Sequence, residues 1–415
     1  MSRAWLAIVI ALVACGKDEA EQVVPPDNSH PDMPYPPPPV PHPDQLPGPI
    51  TDSCSAACAR VEPVGDIAKL AAPIDAAAGL SAVGFGEDHW YVAWGGRPEI
   101  VTQLQRFTKD GKISGPTKKI DGTTPSRIAF HDGELHLWGW IPSASGAQGV
   151  QSSLHRFDAS LTPIGDPLRF RATHRVFDET ELADGKLTTT ALAQRTVPLV
   201  REVTMNLSNL SESPILRDWH IPEAGGGDHS AYQRIGDKRF LVFYARRSIR
   251  VAELEPDGTV AAAAKVLTAN FEDDNVVVLT RLVGNAWWIG GYTAGRSTTT
   301  FHGRKIDPTT LSGLGEPIAI TFPLGNPDAL VDANGTPMLT SLVYAGGMSR
   351  PAFLPIDENA RAICRPSVVS IPKDGPNVSL RALHFVGETA GVVLETDTSQ
   401  PNRSMYFARV ACRSR

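Results

Sequence analysis

Arginine recurs in this chain in short polar stretches between apolar runs. Arg97, Arg195, Arg246, Arg247, Arg296, Arg350 and Arg403 occupy such stretches, at separations of about fifty residues or twice that. Lysine never takes the position. A planar guanidinium grips carboxylate, sulfate or phosphate through two parallel N–H bonds, which an ammonium does not. Gathered on one face, these groups would suit an oxyanion-bearing ligand. Arg97, Arg195, Arg247, Arg296, Arg350 and Arg403 are therefore the candidate ligand-binding residues. The acids Asp228, Glu272 and Asp328 work against such a face by neutralising it.

Other chemistry is thinly signalled. There is no Gly-x-Ser-x-Gly nucleophile elbow and no Gly-x4-Gly-Lys-Ser/Thr phosphate loop. Gly225-Gly226-Gly227-Asp228 reads as a plain loop. His131 and His136 flank a turn and His229 follows Asp228, without the clustered spacing of a zinc site. Glu272-Asp273-Asp274 lacks the alternating ligand spacing of a calcium loop. No catalytic residue, metal or cofactor is expected.

The fifth cysteine, Cys15, has a different context. Arg3 precedes the apolar run 4–13, which is too short to span a bilayer and long enough for a signal-peptide core. The run ends Leu12-Val13-Ala14-Cys15, with Gly16 next. This resembles the lipobox of bacterial lipoproteins. The resemblance implies cleavage before Cys15, diacylglyceryl and acyl (palmitate-type) chains on that residue, and membrane contact through the lipid. Gly16, in place of a retention aspartate, implies the outer membrane.

Residues 1–14 are then signal peptide. Residues 15–50 are a lipidated tether with runs such as Pro36-Pro37-Pro38-Pro39 and almost nothing aliphatic to bury. Polyproline II rises about 3.1 Å per residue, so some thirty residues reach up to about 90 Å. The remainder, 51–415, is long enough for a substantial core. The net charge is −6, and −7 once Arg3 is removed, which argues against nucleic acid as a partner. A monomer is expected.

That remainder repeats with a period near fifty. Tight-turn pairs recur at Gly86-Glu87-Asp88, Asp132-Gly133, Asp184-Gly185, Gly236-Asp237, Gly284-Asn285, Asn334-Gly335 and Gly387-Glu388. Gly, Asn and Asp tolerate the positive φ that two-residue hairpins need. Short aromatic and β-branched runs follow, such as 90–94, 240–244 and 287–289. A further strand–turn–strand comes about twenty residues later, for example across Lys109-Asp110-Gly111. Four short antiparallel strands per unit, seven times over, give a seven-bladed β-propeller.

The last unit supplies only three strands, 380–385, 391–396 and 405–412. Glu62-Pro63-Val64-Gly65-Asp66 matches Thr162-Pro163-Ile164-Gly165-Asp166, at the expected start of the fourth strand of blade two. The N-terminal segment should therefore complete the last blade. This resembles the "velcro" closure of the β-propeller superfamily. Four cysteines remain besides Cys15, and they allow three pairings. The closure selects Cys58 with Cys412, across the seam, and Cys54 with Cys364, near the start of the sixth blade's fourth strand.

Two functions fit. The first is a non-catalytic binding or scaffolding module for an anionic polysaccharide or an envelope protein. The second is a carbohydrate-active propeller enzyme similar to sialidases, in which three arginines hold a sugar carboxylate. Sialidase-like propellers carry Ser-x-Asp-x-Gly-x-Thr-Trp boxes and six blades, and the chain has no such box.

Overall fold

A computed structural model describes residues 50–414 without 52–53, 55, 71–79, 97–99, 142–150, 172–175, 184–185, 195–198, 207–214, 222–229, 270, 272–275, 295–298, 323–326, 346–347, 358–362, 370–376 and 397–403. The expected signal peptide, Cys15 and the tether up to residue 49 lie outside the described residues.

Among those residues every element is a strand. They form seven four-stranded antiparallel sheets and one two-stranded parallel ladder. Blade one runs through Leu80–Gly86, His89–Gly96, Val101–Thr108 and Lys118–Asp121, each strand paired with the next. Blades two to six repeat the pattern over 124–171, 176–220, 230–268, 276–322 and 327–368. Blade seven takes Val378–Val386, Thr389–Thr396 and Ser404–Arg413 from the C-terminus. Its fourth strand is Arg60–Lys69, antiparallel to Ser404–Arg413. The protein is a seven-bladed β-propeller, closed as the repeat implies.

Turn chemistry explains the hairpins. Glu87 and Asp88 (φ 46° and 57°), Asp132 and Gly133 (49° and 79°), and Asn334 and Gly335 (53° and 80°) have both central residues at positive φ. That is the requirement of the type I′ turn, whose twist matches the flanking strands. Gly65 and Gly165, at φ 73° and 68°, adopt the same backbone in the matched segments that reveal the closure. One detail differs from expectation. In blade two, Pro163 makes a lone bridge to Phe157 and the fourth strand proper begins at Leu168. In blade seven, Arg60–Lys69 pairs along its length through a register shift between Val64 and Ala68.

Burial lies between blades. Trp90, Trp94, Phe107, Val393 and Phe407 join blades one and seven, while Tyr91, Leu104, Leu135 and Phe157 join one and two. Phe240, Val251, Trp287 and Ile306 join four and five. Each such side chain contributes roughly 1.5–3 kcal/mol when fully buried. At the seam, Arg409 adds a hydrogen bond from Nη1 to the Lys109 carbonyl, 2.8 Å away.

Both disulfides form as the closure selects. Cys58 bonds to Cys412 and Cys54 to Cys364, with Cα atoms 4.9 Å and 5.3 Å apart. Cys364 sits just ahead of blade six's fourth strand, Ser367–Val368, on a strand of its own, Ile363–Cys364. That strand pairs in parallel with Ile50–Thr51.

Candidate functional site

Antiparallel connectivity fixes the geometry of the disc. In each blade the first-to-second and third-to-fourth turns leave one end, and the second-to-third connection leaves the other. First strands of neighbouring blades, such as those of one and two or of four and five, touch, and together the first strands line a central cavity of about 540 Å³. Binding sites for small molecules span about 300–1,000 Å³.

Most of the expected arginines escape description. Arg97, Arg195, Arg296 and Arg403 lie outside the described residues. Arg246 and Arg247 do form the second-to-third turn of blade four, between strands Lys238–Ala245 and Ser248–Glu253, with both side chains exposed. Their φ values, 51° and 59°, repeat those of the Asn334-Gly335 turn without its favourable residues. The turn is closed by the Ser248 hydroxyl, which donates to the Ala245 carbonyl at 3.0 Å.

Arg350 is a correction. Strands Thr336–Ala345 and Met348–Pro355 pair all the way to Ala345 and Met348, so the connection is too short to contain it. Arg350 is instead a strand residue, 7% exposed, with Nη1 donating to the Ser349 carbonyl at 3.0 Å. Burial holds its pKa below the usual arginine value. This buried guanidinium with a backbone partner belongs to a strand of blade six, not to the loop in which the repeat places it.

The cavity wall carries charge that the repeat alone did not flag. Arg127, Arg281, Arg381, Asp328 and His384 all line it, from the first strands of blades two, five, seven, six and seven. Arg381 is ion-paired with Glu395, a second-strand residue only 2% exposed. Asp328, expected to neutralise an arginine face, opens onto the cavity while protein crowds round it. That crowding pushes its pKa up to about 6, against the pull of Arg381. Burial, then Arg281 and Arg127, push His384 down to about 4, so it is neutral at pH 7.

Hydroxyls complete the wall at one end. Ser81, Ser126 and Ser230 lie early in their strands, as Asp328 does, and Thr340 lies beside Ala329 on the adjoining strand. All are near the end from which the Arg246-Arg247 turn projects. Ser126 donates to the Trp138 carbonyl at 3.1 Å. The buried Oγ atoms of Ser81 and Ser230 and Oγ1 of Thr340 have no hydrogen-bond partner among the described residues.

The histidines noted in sequence do not gather. His136 is 1% exposed and contacts Glu134, while His131 contacts Asp132 at the surface. His229 and 272–274 lie outside the described residues. Among the described residues no group of three or more His, Cys, Asp or Glu is placed to hold a metal ion.

No protein-family profile matches the chain, and neither does any curated protein sequence. Solved structures of similar shape exist at low identity. One is a prolyl endopeptidase structure (9% identity, 81% of this chain, TM-score 0.46), of which the chain spans about half, 51%. Another is the Dos1 propeller (7% identity, 84% of this chain and 95% of that one, TM-score 0.44). A third is the WD40 β-propeller domain of Doa1 (13% identity, 82% and 95%, TM-score 0.43). The blade count rests on this chain's own strand pairing.

Proposed function

We propose that this propeller is a non-catalytic binding module of the bacterial cell envelope, tethered to the outer membrane by lipid on Cys15 and holding an anionic glycan. The observation that carries the reading is one end of the disc. There, the exposed Arg246-Arg247 turn projects from the same end as a cavity mouth walled by Arg381, Asp328 and buried hydroxyls without partners among the described residues. Guanidinium pairs suit the acidic groups of such a polymer, and its hydroxyls suit the wall. Arg97, Arg195, Arg296 and Arg403 belong to the same proposal through their place in the repeat. The test is binding of the full-length protein to polygalacturonate across a salt series. Affinity that falls as salt rises supports the reading, because exposed charge pairs are screened over about 8 Å at physiological ionic strength. Salt-independent binding, or capture of an envelope protein with no polysaccharide affinity, would reject it.

One observation favours the carbohydrate-active reading instead. Asp328 and Glu395 both neighbour Arg381, and a carboxyl with a pKa of about 6 suits general acid catalysis. Release of new reducing ends from a glycan, abolished by Asp328→Asn, would establish it.

A further inference from the structure

Thr340 poses a specific question. The residue lines the central cavity and is 1% exposed, and its Oγ1 has no hydrogen-bond partner among the described residues. A buried polar atom left unsatisfied costs stability, so such atoms are rare without a reason. Here the Oγ atoms of Ser81 and Ser230 share the condition on the same wall. Three unsatisfied hydroxyls from blades six, one and four thus surround one mouth. Asp328 shares blade six with Thr340, and Arg381 stands on blade seven, between blades six and one.

The wall there has no single sign of charge. Arg381 stands against Asp328, so a cation and an acid share it. A bare anion gains little from such a ring. A ligand dense in hydroxyls gains more, since each hydroxyl both donates and accepts. A carboxylate accepts from such groups, a guanidinium donates to them, and serine and threonine do either. Leu330, Tyr232 and Leu383 supply apolar wall beside these groups for a ring's C–H face.

We infer that the cavity mouth is a sugar-binding site. Asp328 accepts from sugar hydroxyls, Arg381 donates to a sugar oxygen while keeping Glu395, and Thr340, Ser81 and Ser230, whose hydroxyls are covered in the free protein, rotate them toward the same ligand. The inference rests on the binding-module reading and gives that module its recognition unit.

The test takes the full-length protein to an array of neutral, amino and uronate oligosaccharides, with tricarballylate as a carboxylate without hydroxyls. The best sugar is then titrated against Thr340→Val, Ser230→Ala and Asp328→Asn. Losing a partner to a charged group should weaken binding about tenfold or more for Asp328→Asn, and each hydroxyl deletion severalfold. Thr340→Val is nearly isosteric and removes an atom with no hydrogen-bond partner among the described residues. Its melting temperature should therefore hold or rise while affinity falls, which a structural hydroxyl would not do. Binding of no sugar, equal binding of tricarballylate, or affinity unchanged in all three variants would overturn the site. If polygalacturonate binding survives these variants and falls only on loss of Arg246 and Arg247, the module stands and the cavity site fails. If a neutral sugar binds here and no polyanion binds anywhere, the anionic-glycan reading fails and the cavity site stands.

Discussion

The double change Arg246→Asn, Arg247→Gly tests whether the cationic turn of blade four is kept for a ligand. The chain carries its own template, because Asn334-Gly335 adopts φ 53° and 80° where Arg246 and Arg247 adopt 51° and 59°. An L-residue in the left-handed region pays roughly 1–2 kcal/mol, which Asn reduces and Gly escapes. The new glycine gives back roughly 0.5–1 kcal/mol through the freer unfolded chain. The net expectation is a gain of about 1–2 kcal/mol. At about 2.1 cal/mol/K per residue, a domain of about 365 residues shifts by about 1.3 °C per kcal/mol, so the midpoint should rise by about 1–3 °C. No packing is lost, since both side chains are exposed. Scanning calorimetry reads the stability, and polygalacturonate titration at two salt concentrations reads the function. The variant should be more stable, bind more weakly and depend less on salt. A lower midpoint would refute the strain argument. A higher midpoint with unchanged affinity would refute the functional one.

Three further outcomes are expected. Cys15→Ser should release the protein from the membrane fraction, and a variant still firmly membrane-bound would sink the lipid anchor. Cys58→Ser with Cys412→Ser should lower the thermal midpoint and expose 60–69 to protease. With Cys54–Cys364 intact the loop opened is about fifty residues, so the chain-entropy contribution is about 4 kcal/mol, and an unchanged midpoint would mean that pairing, packing and the remaining bridge hold the seam. His384, with a folded pKa of about 4 against an ordinary value of 6.5, binds its proton more readily when unfolded. Its contribution is complete above pH 6.5 and fades as pH falls toward 4, so His384→Gln should flatten the stability profile in that window. A profile identical to that of the native chain would exclude the burial argument.

The ring was legible in sequence because its signals are local and repeated. Asp132-Gly133 and Asn334-Gly335 mark turns by backbone geometry alone, and the match of 62–66 with 162–166 exposed the closing strand. Pairing of the cysteines followed from that single placement. Arg350 was misread because loop length depends on how far two strands continue to pair, and nothing local distinguishes an arginine at a strand's start from one in the loop. The cavity wall was missed for another reason. Arg127, Arg281, Arg381 and His384 stand in apolar strands, where a charged residue reads as facing outward. In a propeller the first strand also meets solvent, on the axis. Aligning positions by their distance before each turn would have brought Ser81, Ser126, Ser230 and Asp328 into one ring.

The order of attachments along the N-terminal arm decides where a pull on the tether is felt. From residue 50 onward the arm meets blade six first, through the Ile50–Thr51 ladder and the Cys54–Cys364 bond. Only then does it reach Cys58–Cys412 and the closing strand Arg60–Lys69. Tension arriving along the chain ahead of residue 50 would therefore pass through a covalent bond into blade six. The hydrogen bonds of the closing strand lie downstream and carry none of that load. A ring closed by strand pairing alone would peel open from its N-terminal edge, one backbone bond at a time. The point where such a pull would arrive and the clasp are mechanically separate, so a pull on the N-terminal arm would not unlatch the ring.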